Sequence, residues 1–334
     1  MSRTGVEAKP TWQSLPPEVR LAAAQALGAE IVRASRIWGG YSPSPTFRLR
    51  LANGQRAFFK GCGPDASEFL REVIETETRV YTELSHLISP WAPQLFGTLS
   101  ADGWRALLLE DVGPKTAPPW TPALTAQVMR AYAEFHQSTR GGDLPAWLPR
   151  FSQTEALITW ERIAGETEGW RRVAALAGSQ ADDALRWLRA AEPLFARLMA
   201  SAPAIPGPEA LLHFDTRSDN LRLQRGRLRL FDWPAVEAGP VELDVVAFAQ
   251  SITVEGGPAP EQCVAWYGGP LRSDVMDVSL AWCAGFFAAR AWLPEIPGLP
   301  RLRRFQRQQL ATLLDWSARR FHLPAPTWTR ALWL

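Results

Sequence analysis

The sequence predicts an α+β protein in which the strands come first and most of the helices follow. Strand-like runs separated by turn residues fill 31–60 and 92–109. Apolar residues at helical spacing dominate from residue 124 onward. One short strand, loop and hairpin, 211–244, interrupts the helices. At 334 residues, with 46% hydrophobic and 21% charged, the chain reads as a soluble globular protein large enough for two lobes.

A first helix is expected over 15–27, where Pro16 and Pro17 open it, Val19, Ala23 and Leu27 recur, and Gly28 closes it. Strands at 31–37 and 47–51 flank a turn-rich segment containing Gly39, Gly40, Tyr41 and Ser42. A glycine pair between strands lets backbone amides approach phosphate oxygens with no side chain in the way. Asn53-Gly54 suits a type I′ turn into a strand, 56–60, that ends on Lys60. A helix over 65–84 has an apolar face of Phe69, Val73, Val80, Tyr81 and Leu84, and carries Glu68, Glu72, Glu75, Glu77 and Glu83. Strands at 92–99 and 104–109 follow, the second breaking into Glu110-Asp111-Val112-Gly113. Further helices are expected at 124–137, 154–170, 184–199, 241–252, 273–291 and 299–321.

Composition excludes several classes. A net charge of +2 asks for neither nucleic acid nor an anionic membrane, and no basic block with interleaved aromatics appears. Cys62, Cys263 and Cys283 are far apart with no C-x-x-C spacing, which argues against a zinc site or disulfide framework and fits a reducing compartment. The first residues lack an apolar signal region, and the apolar run 281–289 is too short to span a bilayer, so a cytoplasmic protein is expected.

The chemistry concentrates in 211–244. His213, Asp215 and Asn220 fit H-x-D-x-x-x-x-N, and a strand-like run then ends on Asp232, across a hairpin from Asn220. Phosphoryl transfer asks for such a set: a carboxylate to orient an attacking hydroxyl and accept its proton, and an amide with a second carboxylate to hold magnesium on phosphates. Asp215 is the candidate base, with Asn220 and Asp232 the candidate metal ligands. All but three of the 36 basic residues are arginine, the lysines being Lys9, Lys60 and Lys115. A lysine kept at the end of the 56–60 strand fits a site that wants a compact point charge on phosphates.

These residues resemble the aminoglycoside phosphotransferase family, the small-molecule relatives of protein kinases that include choline kinases. The resemblance rests on His213-Phe214-Asp215 with Asn220, on Phe231-Asp232-Trp233, on Gly239-Pro240 with Asp244, on Lys60, and on Glu77-x-x-x-Tyr81-x-x-Leu84. Phe214 stands where the family commonly has Gly, and Gly-Pro-Val-Glu-Leu-Asp replaces Gly-Asp-Pro-x-x-Asp. The resemblance implies a two-lobed protein-kinase-like fold with an antiparallel-sheet N-lobe over 1–111 and a mostly helical C-lobe over 112–334. It implies ATP or GTP bound with Mg2+ beneath Gly39, Gly40, Tyr41 and Ser42, with Lys60 on the phosphates and Glu77 as its ion-pair partner, Glu72 and Glu75 being the reserves. The nucleotide base would meet the backbone of Glu110 to Val112, and His213 and Asp244 would brace the catalytic loop. The implied reaction moves a γ-phosphate to a hydroxyl of a small molecule, with no nucleic-acid or membrane partner, in a monomer or homodimer. The alternative is a regulatory protein of the same fold that binds nucleotide without turnover; a complete Lys60, Asp215, Asn220 and Asp232 set favours the enzyme.

Overall fold

A computed structural model describes residues 9–38, 44–151, 159–166, 168–202, 205 and 207–334; Gly39, Gly40, Tyr41 and Ser42 lie outside the described residues. In chain order the elements are helix α1 (Pro17–Ala26), strands β1 (Ile31–Arg36), β2 (Thr46–Leu51) and β3 (Arg56–Cys62), helices α2 (Glu68–Glu83) and α3 (Ser85–Ile88), and strands β4 (Leu95–Ala101) and β5 (Trp104–Glu110). Helices α4 (Pro122–Thr139), α5 (Thr159–Gly165), α6 (Gly169–Ala175) and α7 (Ala181–Ser201) follow. Strands β6 (Ala210–Leu212), β7 (Leu221–Gln224), β8 (Arg227–Leu230) and β9 (Glu237–Gly239) precede helices α8 (Val241–Val254), α9 (Pro260–Tyr267), α10 (Ser273–Ala288) and α11 (Leu302–Arg320).

The chain packs as two units, one of Met1–Thr116, Asp219–Pro234 and Ile296–Pro300, the other of Ala117–Ser218, Ala235–Glu295 and Arg301–Leu334. Among the described residues no helix is long and apolar enough to cross a membrane.

In the first unit five strands form an antiparallel sheet in the order β1-β2-β3-β5-β4. Alternation along β2 and β3 sends Phe47, Leu49, Leu51, Ala57 and Phe59 into one core with Trp12, Leu15 and Val19. The Trp12 ring meets Phe47 and Phe59 edge-on at 5.2 and 5.5 Å. Lys60, one residue past Phe59, therefore projects from the opposite face, in register with Thr46 and Leu107. Gly61 follows because β5 comes too close for a side chain: a Cβ there would lie 2.6 Å from the Arg105 carbonyl.

The β2–β3 turn is not the expected type I′. Leu51 N–H donates to Gln55 O (2.9 Å) and Gly54 N–H to Leu51 O (3.0 Å), enclosing three residues of which only Gly54 has positive φ (84°). A type I′ turn needs two left-handed residues; here Gly54 alone fills the bulge position of a longer loop. The β7–β8 turn has that pair instead, Arg225 (φ 51°) and Gly226 (φ 79°).

Helix α2 starts at Ser67, whose hydroxyl accepts the Leu70 N–H (3.3 Å). Its buried stripe is Leu70, Ile74, Glu77, Val80 and Tyr81, whereas Phe69, expected in the core, is 73% exposed. The expectation holds at Val80, Tyr81 and Leu84, whereas in the first half of the helix Leu70 and Ile74 are buried in place of Phe69 and Val73, and Glu77 lies inward with them.

In the second unit, β6 and β9 pair antiparallel with Leu212 opposite Glu237. Helix α8 is buried along nearly its whole length and packs against α9, α10, α11 and β6. The single helix expected over 154–170 is two helices, α5 and α6, although 154–158 and 167 lie outside the described residues. Glu168 turns left-handed (φ 72°), and a Cβ on Gly169 would overlap the Ile163 carbonyl, so the chain folds back at that point. Helix α9 had no counterpart in the expected elements: eight residues between Pro-rich and Gly-rich flanks give little periodicity to read.

Glu237 is partly buried, and its Oε2 has no hydrogen-bond partner among the described residues. Burial, with Asp244 adding like charge, pushes its carboxyl up from 4.5 to about 7. The folded state therefore binds this proton more tightly than the unfolded state. Stability should fall as the pH rises from about 4.5 to about 7 and then level off. Urea midpoints at pH 5 and pH 8 check this: Glu237→Gln should gain more over wild type at pH 8. Separately, Gly61→Ala should cost roughly 1–3 kcal/mol by overpacking β3 against β5, read as a lower urea midpoint.

Candidate active site

Lys60, Glu77, Asn220 and Asp232 line one pocket of the first unit, with Glu110, Asp111 and Val112. The sheet delivers Lys60 and α2 delivers Glu77. Lys60 is 6% exposed and Glu77 1%. Lys60 Nζ donates to Glu77 Oε2 at 2.5 Å and also to Asp232 Oδ1. Burial would lower the Lys60 pKa, but the Asp232 and Glu77 carboxylates more than offset it and hold it above the ordinary lysine value. Burial pushes the Glu77 carboxyl up against the pull of Lys60. Glu72 and Glu75 are exposed, Glu75 being paired with Arg105.

Asp232 ends the β7–β8 hairpin with φ 68°, a conformation that costs a non-glycine residue about 1–3 kcal/mol. The Lys60 ion pair and the backbone N–H of Trp233, which reaches Glu77, fix this corner from both sides. Asn220, 3% exposed, stands at the other end of the hairpin, and its carbonyl accepts the Phe231 N–H (3.0 Å). An amide oxygen and one carboxylate lining the same pocket are ligand types that suit magnesium, which takes one or two protein carboxylates and completes its shell with phosphate oxygens and water.

Arg48 on β2 and Lys115 were not singled out as site residues in the sequence. Arg48 donates to Asp111 (2.9 Å) and to the Gly113 carbonyl (2.8 Å), fastening the segment after β5 to the sheet. Lys115 pairs with Asp219. No sequence period marks residues that meet across 63 or 104 positions.

The second unit holds His213, Asp215 and Asp244. Asp244, 0% exposed in the first turn of α8, accepts the backbone N–H of His213 (2.6 Å) and of Phe214 (2.7 Å). His136 Nε2 lies 3.2 Å from the same carboxylate, and its Nδ1 lies 2.9 Å from the Tyr267 hydroxyl. Burial would raise the Asp244 carboxyl, but His136 and Tyr132 outweigh it and hold it below the ordinary value. Phe214 has φ 62°, a left-handed conformation that glycine adopts without steric cost. Its ring packs edge-on against Trp282 at 5.2 Å and stacks on Phe151 at 6.3 Å.

The rest of the loop is pinned residue by residue. The Thr216 hydroxyl meets Tyr132 (2.7 Å), and Ser218 donates to Glu255 (2.7 Å), which also accepts from Trp120 Nε1 (2.7 Å). Arg217 donates to both oxygens of Asp215, at 3.0 and 3.1 Å, and its guanidinium lies 5.6 Å from the centre of the Phe305 ring. Asp215 remains partly exposed.

The profile described as the phosphotransferase enzyme family, APH, matches residues 33–275. A spectinomycin phosphotransferase solved with ADP and spectinomycin superimposes with a TM-score of 0.56 at 12% identity, covering 95% of this chain and 98% of that one. An aminoglycoside phosphotransferase, a thermostable mutant in its apo form, gives 0.54 at 12% identity over 93% and 98%. An amicoumacin kinase solved with AMP-PNP, Ca2+ and its antibiotic gives 0.53 at 12% identity over 88% and 93%. No curated protein matches at a significant level. The structural likenesses show a kinase-like α+β fold with an antiparallel-sheet N-lobe and a helical C-lobe, and with the profile match over most of its length the chain belongs to the phosphotransferase enzyme family.

Proposed function

We propose that the protein transfers the γ-phosphoryl group of ATP or GTP to a hydroxyl of a small molecule. One observation supports this above the others: the buried Lys60 and Glu77 and the partly exposed Asp232 form an ion-paired group in the pocket that Asn220 also lines. Arg217 holds Asp215 by both carboxylate oxygens, which fixes the direction of that carboxylate.

In this reading Lys60 neutralises phosphate oxygens while Glu77 keeps its ammonium directed into the pocket. Asn220 and Asp232 would hold Mg2+, which supplies charge neutralisation on the phosphates. The backbone of Glu110 to Val112 would carry the base. Asp215 orients the acceptor hydroxyl and takes its proton as the new O–P bond forms and the bond to the nucleoside diphosphate breaks. His213 and Asp244 hold the loop rather than touch substrate. The domains are read as a nucleotide-binding N-lobe over 1–111 and an acceptor-binding C-lobe over 112–334. The buried, unbridged thiols of Cys62, Cys263 and Cys283 support a cytoplasmic setting.

The acceptor is to be sought by incubating hydroxylated metabolites and antibiotics with ATP and GTP, scoring nucleoside diphosphate release and a phosphorylated product mass. With that acceptor, Asp215→Asn should cut kcat roughly a hundredfold to ten-thousandfold while ATP affinity stays near wild type. Unchanged turnover would rule out Asp215 as the base. Asp232→Ala should weaken ATP binding in magnesium and abolish turnover, and calorimetry showing equal affinity would remove Asp232 from the metal site.

A further inference from the structure

In the second unit a run of rings leads away from Asp215. The Arg217 guanidinium, which grips Asp215, lies 5.6 Å from the centre of the Phe305 ring, and Phe305 meets Phe287 edge-on at 6.3 Å. Phe287 meets Phe286 edge-on at 5.2 Å, and the Arg290 guanidinium lies 3.7 Å over the Phe286 ring. A second route, from Phe214 through Trp282, ends on the same Phe286 ring, with steps of 5.2 and 5.4 Å. Helices α10 and α11 pack together and carry Phe286, Phe287 and Phe305, and Arg290 follows the end of α10. The three phenylalanines are half-buried, so part of each ring's surface stays open to solvent.

At its far end the run meets a group of arginines. Arg303, 7% exposed, donates from Nε to the Pro294 carbonyl (2.8 Å) and from Nη1 to the Arg290 carbonyl (3.4 Å) and Gln306 Oε1 (2.7 Å). Every one of those acceptors is neutral. Arg307 stands one turn further along α11 on the same face, half-buried, and its Nε has no hydrogen-bond partner among the described residues. Arg290 donates to the Phe286 carbonyl (3.0 Å). Among the described residues none of Arg290, Arg303 and Arg307 forms an ion pair with a carboxylate. Glu166 is taken by Arg162 (4.0 Å) and Arg172 (3.8 Å). Burial lowers the Arg290 pKa, with Arg162 and Arg303 adding like charge, and burial with Arg307 does the same to Arg303. Like charges gathered in so sheltered a place are costly until an anion joins them, and the guanidinium fork matches the oxygens of carboxylate and phosphate.

We propose that the acceptor carries an anionic group, a carboxylate or a phosphate ester, bound by Arg290 and Arg307, while its planar or apolar body lies on Phe286, Phe287 and Phe305. Arg303, in contact with the one and a turn from the other, adds its charge behind them. The proposal rests on the phosphotransferase reading given above and deepens it: Asp215 receives the hydroxyl end of the acceptor, and the arginines receive its charged end. A polycationic acceptor would be repelled from the same surface.

The test is calorimetric binding of four probes that share a phenyl body, namely phenylacetate, phenyl phosphate, phenylacetamide and phenethylamine, to wild type, Arg290→Gln and Arg307→Gln. Fragments of this size are expected to bind in roughly the millimolar range. Wild type should bind at least one of the two anions about tenfold more tightly than the amide, with the amine weakest, and the tighter anion tells carboxylate from phosphate. Each substitution should lower the affinity for that anion about tenfold and leave the amide unaffected. Wild type that binds neither anion, or binds them no better than the amide, overturns the proposal, as does unchanged anion affinity in a variant that melts like wild type. If Arg290→Gln melts early, Arg307→Gln decides in the same way. ATP binding to wild type with magnesium is measured alongside. Its absence removes the phosphotransferase reading and the acceptor role with it, whereas normal ATP binding with no preference for the anions removes this proposal alone.

Discussion

A carboxylate sealed from water must receive all its hydrogen bonds from the protein, and in the second unit that carboxylate is Asp244. It takes two from consecutive backbone amides, those of His213 and Phe214, and this requirement shapes the loop around it. Two neighbouring N–H groups can converge on one anion only if the backbone bends sharply, and the bend places Phe214 at positive φ. Where glycine would adopt that conformation freely, phenylalanine must be held there, and Phe151 and Trp282 hold its ring. The strain and the packing are two sides of one arrangement whose outcome is a fixed direction for Asp215, the next residue in the chain.

The first unit solves the reverse problem. One ammonium, Lys60, lies among carboxylates from helix α2 and from the end of the β7–β8 hairpin. Each would be costly alone in so buried a place, and together they tie three distant parts of the chain to one point. The hairpin corner at Asp232 is left-handed and costly in itself, so its geometry depends on that ion pair as much as on the hairpin.

Much of this was legible in the sequence, for identifiable reasons. The strands β1 to β5 announced themselves by alternation and turn residues, and the long helices by their apolar stripes. Asn220 and Asp232 could be named from their types and their spacing around a hairpin and Lys60 from the scarcity of lysine, whereas Glu77 was singled out from its neighbours by the family resemblance. What the sequence concealed depends on contacts between residues far apart. Phe69 and Leu70 are equally apolar, and only the sheet beneath α2 decides which faces inward. Asn53-Gly54 is a strong type I′ signal, yet strand register added a residue to the loop, and the I′ pair formed at Arg225-Gly226, where the dipeptide signal is weaker. Arg217 lay within the motif, but nothing in its spacing indicated that it would grip Asp215; Tyr132, Glu255 and Trp120 pin the loop from helices or turns with no local mark of that role.

The clustering of every lysine in one pocket has a chemical consequence for anyone handling the protein. Reagents that acylate or alkylate primary amines usually scatter over a protein surface, because lysine is usually a surface residue. In this chain, apart from the α-amine, every primary amine they could reach lies on the wall of a single cleft, while the outer charge is guanidinium and inert to them. Amine coupling to a sensor surface or a dye would therefore decorate the pocket itself. Of the three, Lys115 alone is exposed and would react first, while Lys60 is buried and held protonated by Asp232 and Glu77.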